Sequence, residues 1–496
     1  MLLAIVRSAT VTRLPSLALG AGLGALLLFA PAAANAHDVT VDGASSEWST
    51  LSTAYANLGF IARTEALTGE YIFWDVTYDQ WTETTQEYDL DLEKIQVTGN
   101  SGSLFFLLSV DGTDPGVAQY QISIDLDCIS GSGQNALAGS AETTVNAAAE
   151  WEYLVQTTFH DSGSTGARVL DTSFNVVAGA VLAEATAGIV EIGVPWTQLG
   201  LTGPPSTPIR ITVSSYRSSA NSPTVYDIAG AAQSNVFDAM SDCGDPRWRY
   251  YTSNFNCEVS DKDIDFFTEL TFEADGDVIA PILLDRMVLN SSLTTGSAGL
   301  WVAIRNVTSS TIQLGNFKLG NEKVVDPRFG SGELATFPAG ATLAPGATYI
   351  VGVEGTMYQT RYGELPDAEF ESTSAAPNMT TYAPWFSDLV ASGYSLNDGV
   401  GEVLVVDPSN TILDVLPYGL GTFPGVTPLT SSGPDETVVF RTVPNVDTDN
   451  CNLDFSMSTK PACADTASCA EICMTCNLNT CTPVAVGTSC PDSLSC

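Results

Sequence analysis

Basic residues are scarce in this chain. Only 18 Lys and Arg stand against 57 Asp and Glu in 496 residues, giving a formal net charge of −39. Such a surface repels phosphate backbones and anionic lipid heads, so nucleic acid and a bare membrane surface are excluded as partners held by charge. Histidine is rarer still, with His37 and His160 alone, and a zinc hydrolase built on three imidazoles cannot be assembled. No Gly-x-Ser-x-Gly elbow, Gly-x-x-x-x-Gly-Lys-Ser/Thr loop or His-Glu-x-x-His helix occurs, which removes the common catalytic signatures. After residue 36 no apolar run approaches the ~20 residues of a membrane-spanning helix.

What is present is apolar. Hydrophobic residues make up 44% of the chain and charged ones 15%, enough to bury large cores, and at ~150 residues per domain the length suggests about three domains. Residues 1–36 carry Arg7 and Arg13, no acid, the run Leu17–Phe29 and then Ala34-Asn35-Ala36. This is the pattern of a secretory signal peptide, with His37 as the expected mature N-terminus. Its removal leaves 16 bases against 57 acids, a net charge of −41. The expected location is extracellular or cell-surface.

All eleven cysteines lie after this segment, as expected in an oxidising compartment. Cys243 with Cys257 and Cys451 with Cys463 each bracket a short loop and are expected to pair. Cys128 is left over. Six more cysteines crowd Cys469–Cys496, where disulfides are favoured over a zinc site begun by Cys473-x-x-Cys476. That Cys-rich tail, 459–496, reads as truncated.

Between His37 and Asp277, short apolar or alternating runs are separated by Gly, Asn, Asp, Ser and Pro, the pattern of strands and turns. Expected strands include Val39–Val41, Leu104–Val110, Gln119–Asp127, Trp151–Thr157, Ile189–Val194 and Ile209–Ser215. Helix is expected only at Ala136–Glu142. In Gln121–Asp127, Ile122, Ile124 and Leu126 alternate with Ser123, Asp125 and Asp127, so one face is expected to be buried and the other wet. The pattern resumes after an acidic linker at 273–281, with strands such as Ile282–Leu289, Leu300–Asn306, Thr311–Leu319, Tyr349–Glu354, Glu402–Val406 and Thr411–Leu416. The expected fold class is all-β: two consecutive antiparallel β-sandwich domains, 37–277 and 282–458, followed by a small disulfide-rich tail.

Several motifs resemble known families. Val41-Asp42-Gly43 with Glu47-Trp48-Ser49, Ile124-Asp125-Leu126-Asp127, Trp151-Glu152-Tyr153 and Val190–Trp196 look like DOMON-like modules similar to family 9 carbohydrate-binding modules and the C-terminal domain of glucodextranases. Gly299–Asn306 leading into Ile312–Leu319, then Phe337–Gly346, Tyr394–Gly399 and Leu413-Asp414-Val415, resemble in order a lamin tail domain, which implies an immunoglobulin-like sandwich. The first resemblance implies binding of polysaccharide or cell-surface glycan.

Sugar binding uses aromatic planes edged by polar groups. Trp74, Trp81 and Trp248 lie in polar, turn-rich sequence and are the candidates for a platform, with core packing as the alternative for each. If the chain holds a metal, calcium is the one expected, because it takes carboxylate and carbonyl oxygens on turns, with ordinary exposed strand-end carboxylates as the alternative reading. Asp125 with Asp127 is the leading cluster and Asp447, Asp449 and Asn450 a second. His37 and His160 together offer the copper brace of a polysaccharide monooxygenase, but their surroundings read as a plain strand and a turn. The expected function is a secreted, non-catalytic modular protein that binds polysaccharide or surface glycan through its first sandwich. The alternatives are a structural or adhesion protein with both sandwiches as spacers, and a polysaccharide hydrolase or copper monooxygenase.

Overall fold

Three large sheets account for most of the strands in the computed structural model of the protein, which describes residues 37–51, 58–63, 69–75, 90–111, 117–159, 165–186, 188–229, 236–240, 262–289, 299–321, 334–381, 401–433, 437–458, 474–477 and 480–483. The chain divides into Met1–Ala34 and a second unit, Asn35–Cys496, that contains all of these residues.

The first sheet has eleven strands in the order Thr380–Thr381, Leu334–Thr336, Lys318–Asn321, Gly401–Val406, Thr411–Tyr418, Leu58–Arg63, Gly69–Trp74, Leu92–Gly99, Ser103–Val110, Ile189–Pro195 and Leu182–Thr186. The second has seven: Val278–Ile279, Thr268–Phe272, Ile209–Arg217, Ala118–Asp125, Tyr153–Phe159 and Thr165–Asp171 in line, with Val236–Ala239 also paired to Ile209–Arg217. The third, of six, runs Ala368–Glu371, Thr348–Glu354, Trp301–Asn306, Ile282–Val288, Val438–Arg441 and Phe455–Ser458. One buried apolar cluster draws on all three, with Phe106 and Leu108 from the first, Ile122 and Ile211 from the second and Ile304 and Val351 from the third. The all-β class and its antiparallel layers follow from the period-two alternation, since each sheet buries one apolar face against another.

The two regions expected as separate sandwiches share the first sheet. Leu58–Arg63 runs parallel to Thr411–Tyr418, pairing Gly59 with Thr411 and Phe60 with Ile412. Gly59 permits the approach: a Cβ there would lie 2.6 Å from Thr411 Oγ1 and 2.9 Å from Tyr71 Oη. Arg63 N–H also donates to Asp449 Oδ2 at 2.5 Å.

Two local expectations are corrected. Val39–Val41 is not a strand; residues 37–49 instead lie across the outer face of the first sheet, where Val39, Val41 and Trp48 pack on Phe105 and Leu107. Three of their donors are satisfied by one buried side chain rather than by a strand edge. Glu191 accepts from Asp42 N–H at 2.9 Å, Gly43 N–H at 2.7 Å and Trp48 Nε1–H at 2.7 Å. Ala136–Glu142 is not helical: Gly139 and Ser140 take positive φ values of 72° and 71°, which no α-helix accommodates. Leu137 and Ala138 there pack with Trp151, Tyr216 and Ile228 in a small second core.

Candidate functional site

The best-formed polar constellation grows out of the end of the Ala118–Asp125 strand. This strand pairs antiparallel with Tyr153–Phe159, with Ile124 opposite Tyr153, and Glu152 N–H donates to Ile124 O at 3.1 Å. The register therefore sets Glu152 across from Asp125. The chain then turns sharply, with Cys128 at φ 55°, and the turn's amides are gathered by carboxylates. Asp125 Oδ1 accepts from the N–H groups of Asp127 at 3.1 Å and Cys128 at 2.7 Å. Asp127 Oδ1 accepts from Ile129 N–H at 2.8 Å and Ser132 Oγ–H at 2.9 Å, and Glu152 Oε2 from Leu126 N–H at 2.7 Å.

One oxygen each from Asp125, Asp127 and Glu152 lies within 4.8 Å of the others. Asp125 is 1% exposed and its Oδ2 has no hydrogen-bond partner, so a buried lone-pair oxygen remains unsatisfied beside two further carboxylates. Burial raises the pKa of Asp125 above the usual carboxylate range despite the two amides, and that of Glu152 rises through burial and the nearby charges of Asp127 and Asp125. The nearest cation is Arg210, whose Nη1 is 3.9 Å from Asp125 Oδ2. That guanidinium is committed elsewhere, donating to Cys128 O at 3.1 Å and Ala148 O at 2.6 Å and pairing with Glu269 at 3.0 Å. An all-oxygen donor set with an unsatisfied buried oxygen fits a hard divalent ion, with backbone carbonyls and water completing the shell. Sequence reasoning found Asp125 and Asp127 and missed Glu152.

The other expected sites fare differently. Trp74 is a correction: at 8% exposure it sits in the main core with Phe73 and Leu92, because Gly69–Trp74 is an interior strand buried along its whole length. Its indole offers no open face to a sugar. Trp81 and Trp248 lie outside the described residues, as do Cys243, Cys257, Cys463 and His160. Cys451 is buried, with its Sγ 3.9 Å from Val415 O, and its expected partner Cys463 lies outside the described residues. Cys451 opens a short helical turn packed into the core rather than an exposed loop.

The second acidic cluster belongs to a buried guanidinium. Arg441 Nη2 meets Asp414 Oδ2 at 2.5 Å, while Nη1 lies 3.4 Å from Asp447 and 3.8 Å from Asp454. Asp449 accepts from Arg63 N–H and Asn450 caps the helical turn through Asn452 N–H, so these oxygens are already in use.

His37 is buried, with Nε2 2.7 Å from Glu47 O and Nδ1 3.3 Å from Glu70 Oε1. Its backbone N donates to Asp277 Oδ1 at 3.3 Å. The amide and the imidazole thus face two different carboxylates.

No family model matches the chain, and no curated protein matches it. Among the solved structures that do is a DUF4876 family protein from Bacteroides thetaiotaomicron VPI-5482, 14% identical, with 55% of this chain and 86% of that chain covered and a TM-score of 0.26. A likeness of that size carries no argument about function. Among the described residues no helix is long and apolar enough to cross a membrane.

Proposed function

We propose that this is an exported, non-catalytic, modular protein that attaches to polysaccharide or cell-surface glycan through its first sandwich, with calcium bound by Asp125, Asp127 and Glu152. The observation that carries the calcium reading is the unsatisfied, buried Asp125 Oδ2 beside two more carboxylates. An ion there ties the turn after one strand to the start of its neighbour, and so stiffens a loop at the end of the sandwich. The glycan reading rests on the sequence resemblance of the first region, with Trp81 and Trp248 as the remaining aromatic candidates. The lamin-tail-like second region is proposed as its partner sandwich.

A polysaccharide array probed with the full chain, in calcium and then in magnesium, tests this reading. Retention of a defined glycan class that weakens in Asp125→Asn/Asp127→Asn/Glu152→Gln supports it, and no retention on any glycan refutes it. The spacer alternative is favoured by one feature, the sheet shared by both regions, which suits a stiff connecting body.

A further inference from the structure

From the way residue 37 is held, we infer that removal of the leading segment creates a new α-ammonium at His37 that closes on the buried carboxylate of Asp277 and locks the N-terminal strap onto the first sandwich. The inference rests on the export reading for the processing step and on geometry for the lock.

The strap from His37 to Trp48 belongs to no sheet, yet it is pinned at both ends. Its far end hangs on Glu191. At its near end His37, 6% exposed, places its backbone nitrogen 3.3 Å from Asp277 Oδ1. Asp277 is fully buried and its Oδ2 has no hydrogen-bond partner. An amide nitrogen brings one proton and no charge to this carboxylate, whereas an ammonium brings three donors and a full positive charge.

The chemistry balances simply. A signal peptidase hydrolyses the Ala36–His37 bond; water gives its hydroxyl to the Ala36 carbonyl carbon and a hydrogen to the His37 nitrogen, and the freed amine takes up a proton from solvent. Burial already raises the pKa of Asp277 to about 6, the state of a carboxylate short of a counterion. Asp275 beside it opposes ionisation and Arg63 assists it. Lys94 faces the neighbouring Glu70, and Asp38 and Glu47 face the imidazole. None of these makes an ion pair with Asp277 within 4 Å among the described residues. The new terminus is placed to do so.

The test compares the whole protein made with three N-termini: one starting at His37, one starting one residue earlier at Ala36, and one starting at His37 in an Asp277→Asn background. One extra residue moves the amine about 3.8 Å along the chain and leaves every buried side chain in place. An unperturbed α-amine has a pKa of about 8, and a rise of one unit cuts its reactive free form about tenfold near neutrality. The His37-start protein should therefore be acylated at its terminus about tenfold or more slowly than the Ala36-start form, and should unfold about 1 °C or more higher. Asp277→Asn should abolish both differences.

Equal labelling and equal midpoints for the His37 and Ala36 forms overturn the lock, and so does a His37 advantage that survives Asp277→Asn. If Asp277→Asn does not fold, the first two forms still decide. The intact mass of the exported protein separates this failure from failure of the export reading. A terminus other than His37 overturns the processing step, while a His37 terminus without protection overturns the lock alone.

Discussion

Replacing Glu70 by Gln should make the protein more stable above neutral pH and leave it unchanged in mild acid. Glu70 is fully buried; burial raises its pKa from 4.5 to about 7, against the lowering effects of Ser49 N–H, Gln96 and Lys94. His37 beside it is pushed the other way by burial, so both groups favour their neutral forms. The contacts fit that assignment. Nε2 of His37 lies 2.7 Å from Glu47 O, and Nδ1 lies 3.3 Å from Glu70 Oε1 with no hydrogen bond between them, while Ser49 N–H is shared between Oε1 at 3.1 Å and Oε2 at 3.0 Å and Gln96 Nε2–H donates to Oε2 at 3.0 Å.

A glutamine reproduces this set, with its carbonyl oxygen toward Gln96 and Ser49 and its NH2 toward Nδ1. A folded-state pKa above the unfolded one gives stability that is complete below about pH 4.5 and is lost as pH rises through about 7. Moving a carboxyl from 4.5 to about 7 corresponds to a loss of about 3 kcal/mol. Urea unfolding of parent and Glu70→Gln, followed by tryptophan fluorescence between about pH 4.5 and 8, isolates this group because the other acids cancel in the difference. The variant's advantage should grow from near zero to about 3 kcal/mol across that range. A constant difference, or a less stable variant at the alkaline end, would show that Glu70 is ionised in the native protein and paired with a protonated His37.

Calcium at saturating excess should stabilise the folded protein beyond what magnesium does, by about 3 kcal/mol at a hundredfold excess over Kd, seen as a higher unfolding temperature. Binding should weaken as pH falls, since burial raises the pKa values of Asp125 and Glu152 and a protonated carboxyl loses its ion; equal responses to the two ions in differential scanning calorimetry would refute the site. Trp74→Ala should cost about 3–5 kcal/mol of stability, measured by chemical denaturation, whereas a surface platform residue would lose binding and keep stability. Arg441→Met should cost about 3–5 kcal/mol by stranding Asp414, and Asp414→Asn added to it should recover part of the loss. Separately produced 37–277 and 282–458 should each unfold below the joined protein, and Gly59→Val should bring the joined protein toward the separate ones, because its side chain would meet Thr411 and Tyr71.

The strands with clean alternation were legible in the sequence. Ile122 and Ile124 do point into the core and the flanking runs were foreseen as strands, but the face expected to be wet is buried too, with Ser123 2% and Asp125 1% exposed. Leu58–Arg63 and Gly69–Trp74 were not, because their runs are apolar on both faces and so lack the period-two signal, and Glu70 reads as a surface acid. The same blindness misplaced Trp74. Asp125 and Asp127 could be read because they are two residues apart, but Glu152 joins them only through cross-strand register, which short-range pattern does not encode. Cys451 looked like half of a local loop; its burial beside Val415 is set by packing between distant strands.

The parallel junction between Leu58–Arg63 and Thr411–Tyr418 also bears on how the chain is made. On its own, each half would present one of these strands as an open edge, with unpaired amides beside apolar side chains such as Phe60 and Ile61, the kind of edge that templates misassembly. Docking edge to edge hides both. At ~5–20 residues per second, the 347 residues between Arg63 and Thr411 take about 20–70 s to synthesise. Throughout that interval the first edge has no partner, so a nascent or truncated chain is the form in which this protein is most exposed to aggregation.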